Sequence, residues 1–170
     1  MLGRTCAFPA PRRSCTVLYV FSLLRPLTML DRQMFELKIP LRLAVASSRG
    51  LLIVPLWFEA RAGHLWCASQ SDSWLLRSLR AEPNCAFDLS TNDMPYRGLR
   101  GRGAVICHPQ RGEEMLRALL MRYLGTLEAP LARRLLRRAA SEVAIEIVPQ
   151  WQSDWDFTRR MQNSLPAAAV

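Results

Sequence analysis

The stretch LRLAVASSRGLLIVPLWFEARAGHLWCASQ, residues 41–70, reads as three strands separated by two tight turns. Over 41–47, Leu41, Leu43 and Val45 alternate with Arg42, Ala44 and Ala46, the period-2 pattern of a half-buried strand. Ser48-Arg49-Gly50 is a turn signal. Residues 51–59 form a nearly continuous apolar run with Pro55 inside it. A proline has no N–H to give a ladder, so this second strand lies at an edge, carries a bulge or lacks a partner there. Arg61-Ala62-Gly63 turns the chain again, and 64–69 make the third strand. Turns this short join antiparallel neighbours, so the three strands form a meander.

Downstream, Ser71-Asp72-Ser73 supplies N-cap chemistry for a helix over about 72–81, with Leu75, Leu76 and Leu79 at helical spacing and Glu82-Pro83 as its stop. Residues 84–91 are a fourth strand, 92–95 a loop and 99–107 a fifth strand. Gly101 and Gly103 in that strand point to a bulge or to close approach by another backbone or a ligand. A helix over 111–124 places Met115, Leu116, Leu119, Leu120 and Tyr123 on one face, with Gly125 beyond its end. A third helix, 130–140, starts on Pro130 and opposes Leu131, Leu135 and Leu136 to Arg133, Arg134, Arg137 and Arg138, its solvated face. Residues 143–148 alternate as a sixth strand. The expected fold is mainly β within the α+β class: a six-stranded antiparallel β-barrel with capping helices. This order of elements excludes a parallel doubly wound sheet.

The formal net charge is +9, from 23 basic and 14 acidic residues in a chain of 170. Five arginines and one acid fall in residues 1–33, which leaves 18 basic and 13 acidic residues, +5, for the rest. Nucleic-acid binders concentrate such charge on one face and interleave it with aromatic stacking residues. That interleaving is absent here, and no nucleic-acid partner is expected. The five cysteines, Cys6, Cys15, Cys67, Cys85 and Cys107, form no C-x-x-C pair. Neither a disulfide framework nor a metal site is expected, and a reducing, cytoplasmic setting is.

At the N-terminus, Arg12-Arg13 precede an apolar run over 15–24, about half the ~20 residues needed to cross a bilayer. The run ends at Arg25-Pro26 with no small-x-small cleavage site, so no membrane association is expected. Residues 1–33 read as a disordered leader or an upstream start outside the native protein, 34–160 as the folded domain and 161–170 as a flexible tail.

The chain shows no self-contained catalytic constellation. There is no Gly-rich phosphate loop after a strand and no G-x-S-x-G. His64 and His108 read as solvated turn histidines, Cys67 and Cys85 as core thiols. Asp154 and Asp156 share one side of an extended segment and read as structural or solvated carboxylates. A protein whose chemistry belongs to a bound cofactor needs few reactive side chains of its own.

The body resembles the pyridoxamine 5′-phosphate oxidase-related family of FMN-binding split barrels. The matching residues are Arg42-Leu43-Ala44, Gly50, Val54-Pro55-Leu56-Trp57-Phe58, His64-Leu65-Trp66-Cys67-Ala68-Ser69, Ser78-Leu79-Arg80-Ala81-Glu82-Pro83, Gly101-Arg102-Gly103-Ala104-Val105 and Ser153-Asp154-Trp155-Asp156. Together they cover about residues 38–157. The resemblance implies FMN at the interface of a homodimer and an oxidoreductase acting on a small-molecule substrate. It places Pro55, Leu56 and Trp57 against the ring, Ala68 at the neighbouring strand end, and the hydroxyls of Ser69 and Ser71 at the phosphate. Trp74 and Leu75 stand where members that hold FMN tightly carry Arg and Lys. Arg77 and Arg80, or Arg97 and Arg100 from elsewhere, are then the available cations, and Trp74 is a further candidate against the ring. Apolar residues such as Leu56, Trp57 and Phe58 would be covered by the second copy. The alternatives within this resemblance are the deazaflavin F420, whose acidic tail suits an arginine-rich surface, and a non-catalytic barrel that carries flavin or haem. For haem, His64, His108 or a cysteine would be the axial ligand.

Overall fold

The computed structural model describes residues 29–162. Within them the chain forms α1 (Met29–Glu36), β1 (Leu41–Ser47), β2 (Gly50–Leu56), β3 (Glu59–Arg61), β4 (His64–Gln70) and α2 (Trp74–Ala81). It continues as β5 (Asn84–Ser90), β6 (Arg97–His108), α3 (Gly112–Leu124), α4 (Pro130–Leu136), β7 (Glu142–Asp156) and α5 (Thr158–Met161). The leader reading for residues 1–28 and the tail reading for 163–170 lie outside the described residues. Helix α1 runs through residues 29–33, and α5 ends at Met161.

The architecture is mainly antiparallel β, with seven strands in place of the expected six. All seven form one sheet in the order β2-β1-β5-β6-β7-β4-β3, and it is not closed by hydrogen bonds. The extra strand comes from the apolar run expected as one strand over 51–59. It breaks at Trp57-Phe58, so β2 pairs with β1 while β3 pairs with β4 at the opposite edge. Thus the two edges of the sheet are consecutive in the chain, joined by two residues. Pro55 sits in β2, an edge strand, where a missing N–H costs no ladder bond on the open side.

Alternation sorts the sheet into two faces. Leu41, Leu43, Val45, Leu65, Cys67, Phe87, Leu89, Leu99, Ile145 and Ile147 point into the curl and form the main core. Helix α2 adds Leu75, Leu76 and Leu79 to it, and α1 adds Met34 and Phe35. Arg122 of α3 ties α1 down, donating through one terminal nitrogen to the carbonyls of Phe35 (2.5 Å) and Leu37 (3.1 Å). On the outer face, Met115 and Leu119 of α3 pack on Trp66 and Ala144, while Leu116 and Leu120 pack on Ala132 of α4 and on Ala139.

Two glycines permit this arrangement. At Gly103 the β6–β7 register shifts, and a Cβ there would lie 2.3 Å from the Val148 carbonyl oxygen. The expected bulge is therefore real, and the close approach is by backbone. At Gly112 a Cβ would lie 1.9 Å from the Glu142 carbonyl oxygen, so α3 can start against β7 only without a side chain. Beyond the bulge β7 runs on to Asp156, eight residues past the expected strand end, and pairs with β6 as far as Arg97.

Candidate functional site

A groove of about 330 Å³ opens where β2 ends, between the sheet and helices α3 and α4. Pro55, Leu56 and Trp57 form one wall, and Ala68 of β4 contributes a methyl group opposite. Leu116 and Leu119 of α3 and Leu131 and Leu135 of α4 complete the apolar lining. Four of the residues expected at a cofactor ring therefore meet in one place. They meet because the Trp57-Phe58 joint between β2 and β3 leaves the sheet beside β4, the strand that carries Ala68.

Trp57 is held in a definite orientation. Its ring stacks on Tyr123 with centroids 4.8 Å apart and planes 8° from parallel. Tyr123 is itself anchored, since its hydroxyl donates to the Ile39 carbonyl (2.8 Å) and accepts the Phe58 N–H (3.3 Å). Burial raises the phenol's pKa, so it remains a neutral donor. Phe58 is fully buried in the core rather than left for a second copy to cover.

Among the described residues one ionisable side chain lines the groove: Glu142, 7% exposed, at the start of β7. The Gln70 side-chain amide donates to its Oε1, and the Ser141 hydroxyl donates to the Gln70 side-chain oxygen Oε1 (2.6 Å). Desolvation pushes the Glu142 carboxyl up from its ordinary value, opposed by the Gln70 hydrogen bond and by the charge of Arg138. Sequence reading missed Glu142, because a lone acid next to a strand has no periodicity to distinguish it. Tyr123 was visible only as an apolar position on a helix face.

The other expected site residues lie around α2. The Ser69 hydroxyl donates to Ser73 Oγ (3.0 Å), which caps α2 by accepting the Leu76 N–H (3.1 Å). Ser71 gives its backbone N–H to the Ser141 carbonyl (2.8 Å). Leu75 is buried in the core. Trp74, 39% exposed, and Arg77 line a separate hollow of about 390 Å³ with Ala46, Ser47 and Ser48. Arg77 and Arg80 are turned onto the carbonyls of Asp72 (2.6 Å) and Ser71 (3.2 Å). Arg97 and Arg100 face Asp156 and Asp88 across the β6 ladders, away from the groove. Pro55, Leu56, Trp57 and Ala68 thus share one groove, while the expected cations Arg77 and Arg80 hold main-chain oxygens around α2.

The two histidines are not free turn residues. Glu146 receives His64 Nδ1 on one oxygen and His108 Nε2 on the other, each at 2.7 Å. His108 stacks on Trp66 (5.2 Å), and the Arg111 guanidinium lies 4.7 Å from the centre of the Trp66 ring. Among the described residues no group of three or more His, Cys, Asp or Glu side chains is placed to hold a metal ion. No helix among them is long and apolar enough to cross a membrane.

No protein-family model and no curated protein sequence matches the chain. Solved structures do. An F420 reductase superposes with a TM-score of 0.62 and 26% identity, over 72% of this chain and 94% of its own. A candidate pyridoxamine 5′-phosphate oxidase from Listeria innocua gives 0.55 and 13%, over 75% and 94%. This chain has the pyridoxamine 5′-phosphate oxidase-like split-barrel fold. The split barrel also superposes on HutZ, the haem storage protein of Vibrio cholerae, with a TM-score of 0.56 and 9% identity, over 74% and 90%. Neighbours of this split barrel thus differ in the cofactors their names record, so the cofactor question rests on the groove.

Proposed function

We propose that the protein is an oxidoreductase of the flavin type, holding the tricyclic ring of FMN or of the deazaflavin F420 in the groove between Pro55-Leu56-Trp57 and Ala68. The observation that supports this most is the groove's composition: apolar walls from four elements, a stacked indole and a single carboxylate. Such a site suits a planar ring with one polar edge. When bound, the ring supplies hydride or electron transfer; the chain's own residues position it and exclude water. Haem fits less well, because both candidate histidine ligands are engaged by Glu146.

FMN is the reading that the family resemblance favours. One observation favours F420: Leu131 and Leu135 of α4 line the groove, while Arg133, Arg134, Arg137 and Arg138 are exposed on that helix and just beyond it. A polyanionic tail leaving the groove would meet them. The small-molecule substrate and the homodimer belong to the same proposal, as does the cytoplasm, where the described cysteines, all free, would stay reduced.

Titrating the purified chain with FMN and separately with F420, and following quenching of cofactor fluorescence, tests the reading. Micromolar binding of either is expected. Ala68→Leu, which fills the groove without removing any packing, should weaken it at least tenfold. If neither cofactor is quenched by the parent chain, or if Ala68→Leu binds as well as the parent, the proposal is wrong.

A further inference from the structure

Glu142 calls for an explanation beyond packing. A carboxylate that is 7% exposed among leucines is costly to keep, and nothing in the sheet requires an acid at that position. Its backbone, not its side chain, is what Gly112 packs against. Among the described residues the side chain has one donor, the Gln70 amide, which is steadied by Ser141. An ionised carboxylate accepts up to about four hydrogen bonds, so capacity remains on the side that faces the groove. The charged groups around it are few. Arg138 acts on it at longer range and pairs with Asp72 (3.7 Å); the α3 and α4 walls offer only leucines.

We propose that Glu142 is the specificity-determining residue of the groove, accepting a hydrogen bond from an imide or amide N–H on the buried edge of a planar heteroaromatic ligand. This rests on the reading that the groove holds a flavin-type ring, and flavins and deazaflavins share that imide. The same carboxylate keeps phosphate and carboxylate groups away from this end of the groove, because two like charges in a dry site repel strongly. A ring therefore enters with its donor edge towards β7 and its acidic tail outward.

The test uses two uncharged rings, lumiflavin and 3-methyllumiflavin, which differ by one methyl on the imide nitrogen. Their binding to the parent chain, to Glu142→Gln and to Glu142→Ala is measured by fluorescence quenching between pH 5 and pH 9. Lumiflavin should bind the parent chain roughly ten- to a hundredfold more tightly than its methylated form, as loss of a charge-assisted hydrogen bond requires. That preference should shrink in acid, when the carboxylate takes up a proton, and vanish in Glu142→Ala. Equal binding of the two rings to the parent overturns the role of Glu142 while leaving the ring site intact. If neither ring binds, the groove reading fails and this inference fails with it. The parent-chain comparison stands even where a variant does not fold.

Discussion

At the scale of single residues, the groove holds its acid at the expense of stability. Burial raises the Glu142 carboxyl above its ordinary value of 4.5, so the folded chain binds that proton more tightly than the unfolded chain does. This group's contribution to stability is fullest in acid and is lost as pH rises through the raised value. Glu142→Gln keeps the acceptor for Gln70 and carries no charge to desolvate. It should melt higher than the parent at pH 7–8, with the gap closing as pH falls below 5; a parent that is equally or more stable at pH 8 would contradict this. Weaker ligand binding with greater stability is the usual signature of a functional position. The sequence showed part of this site. Pro55, Leu56, Trp57 and Ala68 were named only through the resemblance to the split-barrel family; the local pattern alone marked Pro55 as an edge or bulge position. Glu142 was not legible, since its environment is built by Gln70, Ser141 and two helices brought together only by the fold. His64 and His108 were misread for the same reason: their shared acceptor, Glu146, is 82 and 38 residues away.

Among elements, the turns at 48–50 and 61–63, the capped helix α2 and both amphipathic helices were legible in periodicity and turn chemistry, whereas the expected three-strand meander is two hairpins, β1–β2 and β3–β4, at opposite edges of the sheet. Their boundaries agree with the observed ones to within a few residues. Two departures have physical causes. The run over 51–59 is uniformly apolar, so nothing marked the point where the chain leaves one edge of the sheet for the other. The far half of β7 was hidden by Pro149 and by polar Gln150, Gln152 and Ser153, residues that discourage a strand assignment. Gly103 and the bulge accommodate them. Helix α3, which carries Tyr123 and a groove wall, starts in close backbone contact with β7 at its first residue. Gly112→Ala puts a methyl 1.9 Å from a backbone oxygen that cannot move without shifting β7. The cost should be roughly 3 kcal/mol, a fall of about 10 °C in Tm for a chain of this size. A thermal melt within 2 °C of the parent would show that α3 starts elsewhere.

For the whole molecule, the outer face of the sheet is unevenly covered. Helix α3 lies over the β4–β7 side, whereas no described helix covers the outer face of the β2–β1–β5 side. Leu51 is 87% and Ile53 68% exposed, and Ala44 and Ala86 continue from Ile53 along one row across the sheet to Arg102 and Trp151. A shallow hollow of about 750 Å³ lies over this face. A patch of this kind on a small chain is the natural seat for a second copy. Replacing Leu51 and Ile53 with glutamate should convert a dimer into a folded monomer by sedimentation; a parent chain that already sediments as a monomer would remove the case for dimerisation. Of the residues expected to need covering by a second copy, Phe58 is buried in the core, while Leu56 and Trp57 are half-buried and line the groove. Trp57 is both a wall of the groove and part of the two-residue joint between the sheet's unpaired edges, so a ring seated there would brace the barrel much as a keystone braces an arch. How firmly the two edge strands resist opening would then depend on whether the groove is filled.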